Sequence, residues 1–355
     1  MLVFDAHLDL AWNALNWGRD LTLPVEDIRR SEAGMKDLHR GANTVCFPEM
    51  RKGEVAVSLA TVLARSSALK EPLLDYPNQQ IASAMARGQL AYYRIMEDMG
   101  QLRMLKKWHE VEMHVAQWRS GAPGSSPLGY ILSMEGADPI LSPRDLTRWW
   151  EDGLRVVGLA HYGVSAYAHG TSTTGGLTPR GVDLLKAMDD IGMVLDVTHL
   201  SDESFWQIVE HFKLPVLASH NNCRALVPGQ RQFSDEQIRR LIERDAVIGA
   251  AFDCWMLFPG YEPGKTPNSE VTIASVVDHI DHVCQIAGNA RHAAIGSDLD
   301  GGFGKEQSPG DLESIADLQK IPPLLARRGF KAIDIEAIMY GNWLRFFAAA
   351  WAKLA

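Results

Sequence analysis

Residues 193–220 read MVLDVTHLSDESFWQIVEHFKLPVLASH, in which an apolar run ending in histidine occurs twice. Residues 193–197 and 215–218 have the length of buried strands. The segment between them, opening at Ser201, places Phe205, Ile208, Val209 and Phe212 at helical spacing. Strands alternating with helices imply a parallel sheet. In such folds chemistry sits beyond the carboxyl ends of the strands, where His199 and His220 both fall. Two imidazoles are thus aimed at one rim.

The pattern extends outward from this stretch. Toward the N-terminus, residues 2–6, 55–63, 130–134 and 156–160 read as strands, and all but the second lead directly into polar groups: His7 and Asp9, Glu135, and His161. Toward the C-terminus, residues 247–252 and 293–297 read as the seventh and eighth strands, the eighth ending in Asp298. Between the second and third strands, residues 78–118 are rich in helix formers and read as two helices, followed by a Gly, Ser and Pro loop at 120–129. Pro179 after Thr178 opens a further helix, and Ser234 with Gln237 forms a capping box for another that ends near 244. Helices at 276–288, 313–328 and 333–352 follow. With no repeat or linker, the chain reads as an α/β fold: one (β/α)8 TIM barrel domain over residues 1–355, with extra helices inserted between strands 2 and 3.

Composition fits a soluble enzyme. The 355 residues are 46% hydrophobic and 22% charged, and the net charge of -9 has no block of like charge behind it, which argues against a nucleic-acid or anionic-membrane partner. The chain begins with LVFDAHLDL after Met1, without the basic region and apolar core of a signal peptide, and has no apolar run of transmembrane length, so a cytoplasmic location is expected. Cys46, Cys223, Cys254 and Cys284 form no CxxC pair and are expected to be buried free thiols.

The polar residues at the strand ends define the chemistry. His7 and Asp9 are two apart, so on an extended backbone both face one side, although HxD alone is a weak signal. Three histidines and two carboxylates (His7, Asp9, Glu135, His199 and His220) exceed the needs of one tetrahedral catalytic zinc, which takes three protein ligands and a water. Two ions fit better, with Glu135 joining one held by His7 and Asp9 to another held by His199 and His220. The mixed shell favours zinc, with manganese or cobalt open by ligand type. Two such cations sharing a water would hold it as hydroxide, a nucleophile for an amide or ester carbonyl. Asp298 is then the natural general base, returning the proton to the leaving amine, and His161 is free to stabilise the oxyanion.

The motifs DAHLD (5–9), MEGAD (134–138), LAHYG (159–163), DVTHLS (196–201), SHNNCRAL (219–226), RQFSDEQI (231–238), GSDLDG (296–301) and GNWLRFF (341–347) stand in an order that resembles the membrane dipeptidase (renal dipeptidase-like, peptidase M19) family of the amidohydrolase superfamily, over nearly the whole chain. The resemblance implies a TIM barrel of the metal-dependent hydrolase type and a zinc-dependent dipeptidase with a binuclear centre. In it His7, Asp9 and Glu135 bind one zinc, Glu135, His199 and His220 the other, and His161, Arg231 and Asp298 contact a dipeptide substrate, L,D-dipeptides among the candidates. Arg231 makes physical sense there, because a guanidinium reads a free C-terminal carboxylate through two parallel hydrogen bonds. Leu8 and the run Ala137, Asp138, Pro139 depart from the family pattern and put substrate preference in doubt. No membrane anchor is expected, and a homodimer agrees with the resemblance and with the prevalence of symmetric dimers. The same core could serve cleavage of an N-acyl-amino acid, a lactone or a β-lactam, and a non-catalytic scaffold is the reading from another class.

Other polar residues receive plainer assignments. The loop 162–177 reads as a candidate lid, with His169 an exposed loop histidine and Arg180 flanking it. Asp300 is placed behind the site, Asp196 as a support for neighbouring backbone, and His279 and His282 as solvated or capping residues of an outer helix rather than ligands.

Overall fold

Burial on both faces makes the strands of a parallel barrel read as continuous apolar runs. The computed structural model describes residues 1–36, 39–121 and 126–352, so part of the expected 120–129 loop lies outside the described residues. Its strands are β1 (Val3–Leu8), β2 (Val55–Leu63), β3 (Leu102–Met104), β4 (Leu128–Glu135), β5 (Leu154–Gly158), β6 (Val194–Asp196), β7 (Val216–Leu217), β8 (Ile248–Ala250) and β9 (Ala293–Ile295). Eight of them run in the order β7-β6-β5-β4-β2-β1-β9-β8, every pairing parallel. A bridge between Ala218 and Ile248, with Ala218 N donating to Val247 O at 3.0 Å and Gly249 N to Ala218 O at 2.9 Å, joins the two ends into a nearly closed (β/α)8 barrel.

The extra helices stand where the sequence puts them, at Gln79–Asp98 and Trp108–Ser120. The short β3 between them is not foreseen, because three residues against the foot of β4 leave no periodic signal. Nor does the sequence reading include the helices Leu10–Asn16, Val25–Ser31, Phe47–Lys52 and Pro143–Glu151. Asp9 is also corrected: it lies past β1 at the start of Leu10–Asn16, not on extended backbone.

The GNWLRFF motif serves the fold. Asn342 donates to the carbonyls of Ala290 (2.6 Å) and Ala293 (2.8 Å), Trp343 Nε1 donates to Ile295 O (2.9 Å), and Phe347 stacks on Phe4 with ring centroids 5.7 Å apart. The last helix thereby clamps β9 and β1 together. All four cysteines are free and buried, as expected.

The wall formed by β7, β8 and β9 closes only because glycine stands at two positions. A Cβ on Gly249 would lie 2.0 Å from the Ser219 carbonyl oxygen, and one on Gly296 would lie 1.7 Å from it, and that oxygen belongs to the main chain just before His220. Gly296→Ala is therefore expected to cost ~1–3 kcal/mol of stability through overpacking against backbone. A urea melt would read this as a lower midpoint, and an unchanged midpoint would show that the Ser219 peptide is free to move aside.

Candidate metal centre

Seven buried or nearly buried titratable side chains converge at the carboxyl ends of the strands: His7, Asp9, Glu135, His161, His199, His220 and Asp298. Glu135, from the end of β4, stands between two groups. Its Oε2 lies 3.5 Å from His7 Nε2, and its Oε1 lies 3.3 Å from His199 Nε2 and 3.4 Å from His220 Nε2. Asp9 Oδ2 is 3.7 Å from His7 Nε2, and Asp298 faces both sides, 3.7 Å from His7 Nε2 and 3.9 Å from His220 Nε2. Three sets of donors are close enough to hold an ion: His7, Asp9 and Glu135; Glu135, His199 and His220; and His7, His220 and Asp298. The Nε2 atom of His7 is buried with no hydrogen-bond partner, a state that costs stability unless something else satisfies it.

The electrostatics point the same way. Burial, then neighbouring carboxylates, pushes the Asp298 carboxyl well up, and burial also raises that of Glu135. Burial first, and nearby positive groups second, hold His161, His199 and His220 well below the usual imidazole range. His7 is raised despite its burial, by Glu135 and Asp9. Three crowded carboxyls, with three imidazoles held neutral and only His7 raised, make a site short of positive charge.

Supporting residues fix these groups. Asp196 Oδ1 accepts from Thr198 N at 3.0 Å and Ser219 N at 3.1 Å, tying the ends of β6 and β7 that carry His199 and His220, which is the support expected of it. Asp5 accepts from His7 N at 3.2 Å and from Ser297 N at 2.8 Å, tying β1 to the segment before Asp298. Thr61 donates to Asp9. His199 and Asp298 both adopt left-handed backbone, φ 64° and 58°, which is uncommon outside glycine and concentrates at functional sites. A Cβ at Gly301 would meet Asp298 Oδ1 at 1.9 Å, so the glycine leaves room for that carboxylate.

Hydroxyls hold the far nitrogen of two histidines. His199 Nδ1 lies 3.0 Å from Thr171 Oγ1, which is also 3.3 Å from the His199 carbonyl, so the hydroxyl donates to the carbonyl and accepts from Nδ1–H. His220 Nδ1 lies 2.9 Å from Ser219 Oγ. With the proton on Nδ1 of each ring, the Nε2 lone pairs, 3.0 Å apart, both point to where a metal would bind.

A cavity of about 260 Å³ opens over this cluster, lined also by Trp12, Arg65, Tyr162, Arg231, Asp253 and Gln307. Arg231 is buried and donates to the Asn221 side chain and, at 2.9 Å, to His220 O. Arg65, Asp253, Gln307 and Thr171 are absent from the sequence reading. Asp253 comes immediately after the seventh strand of the sequence reading and Arg65 two residues after the second, so the strand-end rule that finds His161 and Asp298 also reaches them. Asp253 accepts from Gln307 Nε2 at 2.8 and 2.9 Å, and burial raises its carboxyl to about 7.

The remaining assignments resolve as follows. The expected lid loop is stitched down, with Gly170 N bonded to Gly163 O at 2.9 Å and Thr171 N to His161 O at 3.0 Å. His169 is half-buried rather than exposed and lies outside the cavity lining, while Arg180 bonds Gln79 and Tyr167. Asp300 is buried against Thr44 and Val45, holding a loop and not a ligand. His279 accepts from Cys223 N, and His282 pairs with Asp235.

A model of the membrane dipeptidase family, peptidase family M19, matches residues 1–353. The chain belongs to that family. A Klebsiella pneumoniae protein from the pqqA 5' region is 31% identical over 64% of this chain and 83% of its own length. Dipeptidase tcpJ of Claviceps purpurea is 31% identical over 67% of this chain and 53% of its own length, and the chain spans about half the length of the fungal relatives it matches. Two solved metallopeptidases share the fold over 99% of both chains: dipeptidase AC, at 22% identity and TM-score 0.81, and a Rhodobacter sphaeroides enzyme bound to a phosphinate mimic of L-Ala-D-Ala, at 21% identity and TM-score 0.80. Membership in this family implies metal binding. Among the described residues no helix is long and apolar enough to cross a membrane.

The hydroxyl at Thr171 tests how this M19 protein orients its donors. Thr171→Val keeps the shape but removes the acceptor for His199 Nδ1–H, and metal affinity is expected to fall roughly 10- to 100-fold. Chelator competition would measure it, and an unaltered affinity would remove Thr171 from the centre.

Proposed function

We propose that the chain is a binuclear zinc dipeptidase, on the single observation that Glu135 offers a different oxygen to each of two donor groups. Donor atoms about 2.1 Å from a tetrahedral ion stand about 3.4 Å apart. The separations of 3.3 to 3.7 Å from Glu135 to His199, His220 and His7, and from Asp9 to His7, are close to that spacing. In this reading His7, Asp9 and Glu135 hold one zinc and Glu135, His199 and His220 the other. The orphaned His7 Nε2 supports the assignment, and the mixture of imidazole and carboxylate supports zinc.

The bound ions supply Lewis acidity and a water activated at neutral pH. Asp298, facing both donor groups, takes the proton of the attacking water and passes it to the departing amine. His161 Nε2, 3.8 Å from Glu135 Oε1, reaches the same space and donates to the developing oxyanion. Arg231 retains N–H groups beyond those bonded to Asn221 and His220, and these read the substrate carboxylate. A small cavity suits a two-residue substrate. The L-Ala-D-Ala mimic on the Rhodobacter relative supports including L,D-dipeptides.

Metal content per chain, measured on the same sample as hydrolysis of an L,L and L,D dipeptide panel before and after chelation, tests this directly. Near two zincs with chelator-sensitive cleavage is expected. Bound metal without dipeptide cleavage would move the substrate to an N-acyl-amino acid, lactone or β-lactam, and no metal after zinc reconstitution would end the binuclear reading. Asp298→Asn is expected to lower kcat roughly 100-fold or more with metal content retained; parallel loss of metal would make Asp298 a ligand. Arg231→Ala should chiefly raise KM for dipeptides and spare substrates without the carboxylate.

A further inference from the structure

We propose that Arg65 sets the tautomer of His161, making it a proton donor at Nε2 and keeping it from becoming a further histidine ligand. Four imidazoles meet at this site, and their ligand chemistry alone does not say which of them bind metal. What distinguishes His161 is the partner of its far nitrogen.

Arg65 lies just beyond β2, buried, with Nη1 2.7 Å from His161 Nδ1. A guanidinium has N–H donors and no acceptor, so Nδ1 must present its lone pair. The ring's one proton then sits on Nε2, the atom that faces Glu135 in the cavity. At His199 the far nitrogen faces the Thr171 hydroxyl, which, unlike a guanidinium, can accept from Nδ1–H and leave the Nε2 lone pair, 3.0 Å from His220 Nε2, available to a metal. A protonated Nε2 cannot bind a metal but can donate to an oxyanion.

The guanidinium is not free to turn away. Asp75 grips it through two bonds, Nε to Oδ1 at 2.9 Å and Nη2 to Oδ2 at 3.0 Å, and Glu71 takes Nη2 as well. Its main chain is fixed by Arg65 N to Leu74 O (3.0 Å) and Tyr76 N to Arg65 O (2.9 Å). Asp138 then joins the loop of Arg65 to the loop of His161, accepting from Ser66 N and Ala166 N at 2.8 Å each. Asp138, three residues after Glu135, thus locks this pair. Arg65 acts through His161 and is a positioning residue.

The inference rests on the oxyanion role given to His161 above, and its test separates the two. Long-range 15N correlation spectra of the zinc-loaded protein, with the His161 signals assigned by loss in His161→Gln, read the tautomer without any substrate. The proton on Nε2 is expected, and a proton on Nδ1 would overturn the proposal whatever the enzyme cleaves. Arg65→Met is expected to lower kcat about 100-fold with KM and metal content little changed, while Arg65→Lys, which still donates, recovers part of the loss. Equal loss in both variants, or full activity in Arg65→Met, would also overturn it. If no dipeptide is cleaved, the proposed function falls and the spectra still decide the tautomer.

Discussion

Glu135 is a carboxylate taken out of water and set between His7 on one side and, on the other, His199 and His220, which burial keeps neutral, with Asp9 and Asp298 close by. Such an arrangement is unfavourable unless positive charge is delivered between the groups, since a buried carboxylate without a partner costs several kcal/mol. The barrel supplies the rigidity that keeps these side chains from relaxing apart. Its strand ends are cross-tied by Asp5 between β1 and the segment after β9, and by Asp196 between β6 and β7. The donors therefore remain gathered around a position that a cation would stabilise.

Within that cluster, the chemistry we propose is divided by what lies behind each ring. A hydroxyl behind His199 or His220 can take a proton, and a guanidinium behind His161 cannot. In that proposal, identical side chains at similar depth are given different duties by the neighbours behind them.

Much of this was legible in the sequence because strands buried on both faces read as apolar runs and stop abruptly at polar residues. His7, Glu135, His161, His199, His220 and Asp298 stand out for that reason. The supporting residues do not, since Thr171 reaches His199 from a loop stitched across 28 positions, and no local pattern encodes that distance. Arg65 and Asp253 are an intermediate case, visible at strand ends but ordinary in residue type. The helix Pro143–Glu151 carries a Ser142 cap and a leading proline, signals that the reading did not use. β3 is too short to have any.

The stacking of Phe4 on Phe347 also bears on how the donors are held. β1 must pair with β9 as well as β2, and the helix that secures β9 is near the end of the chain. His7, on β1, is thus held by contacts with a helix far away in sequence, so the donors are gathered by packing between distant parts of the chain and not by any local segment.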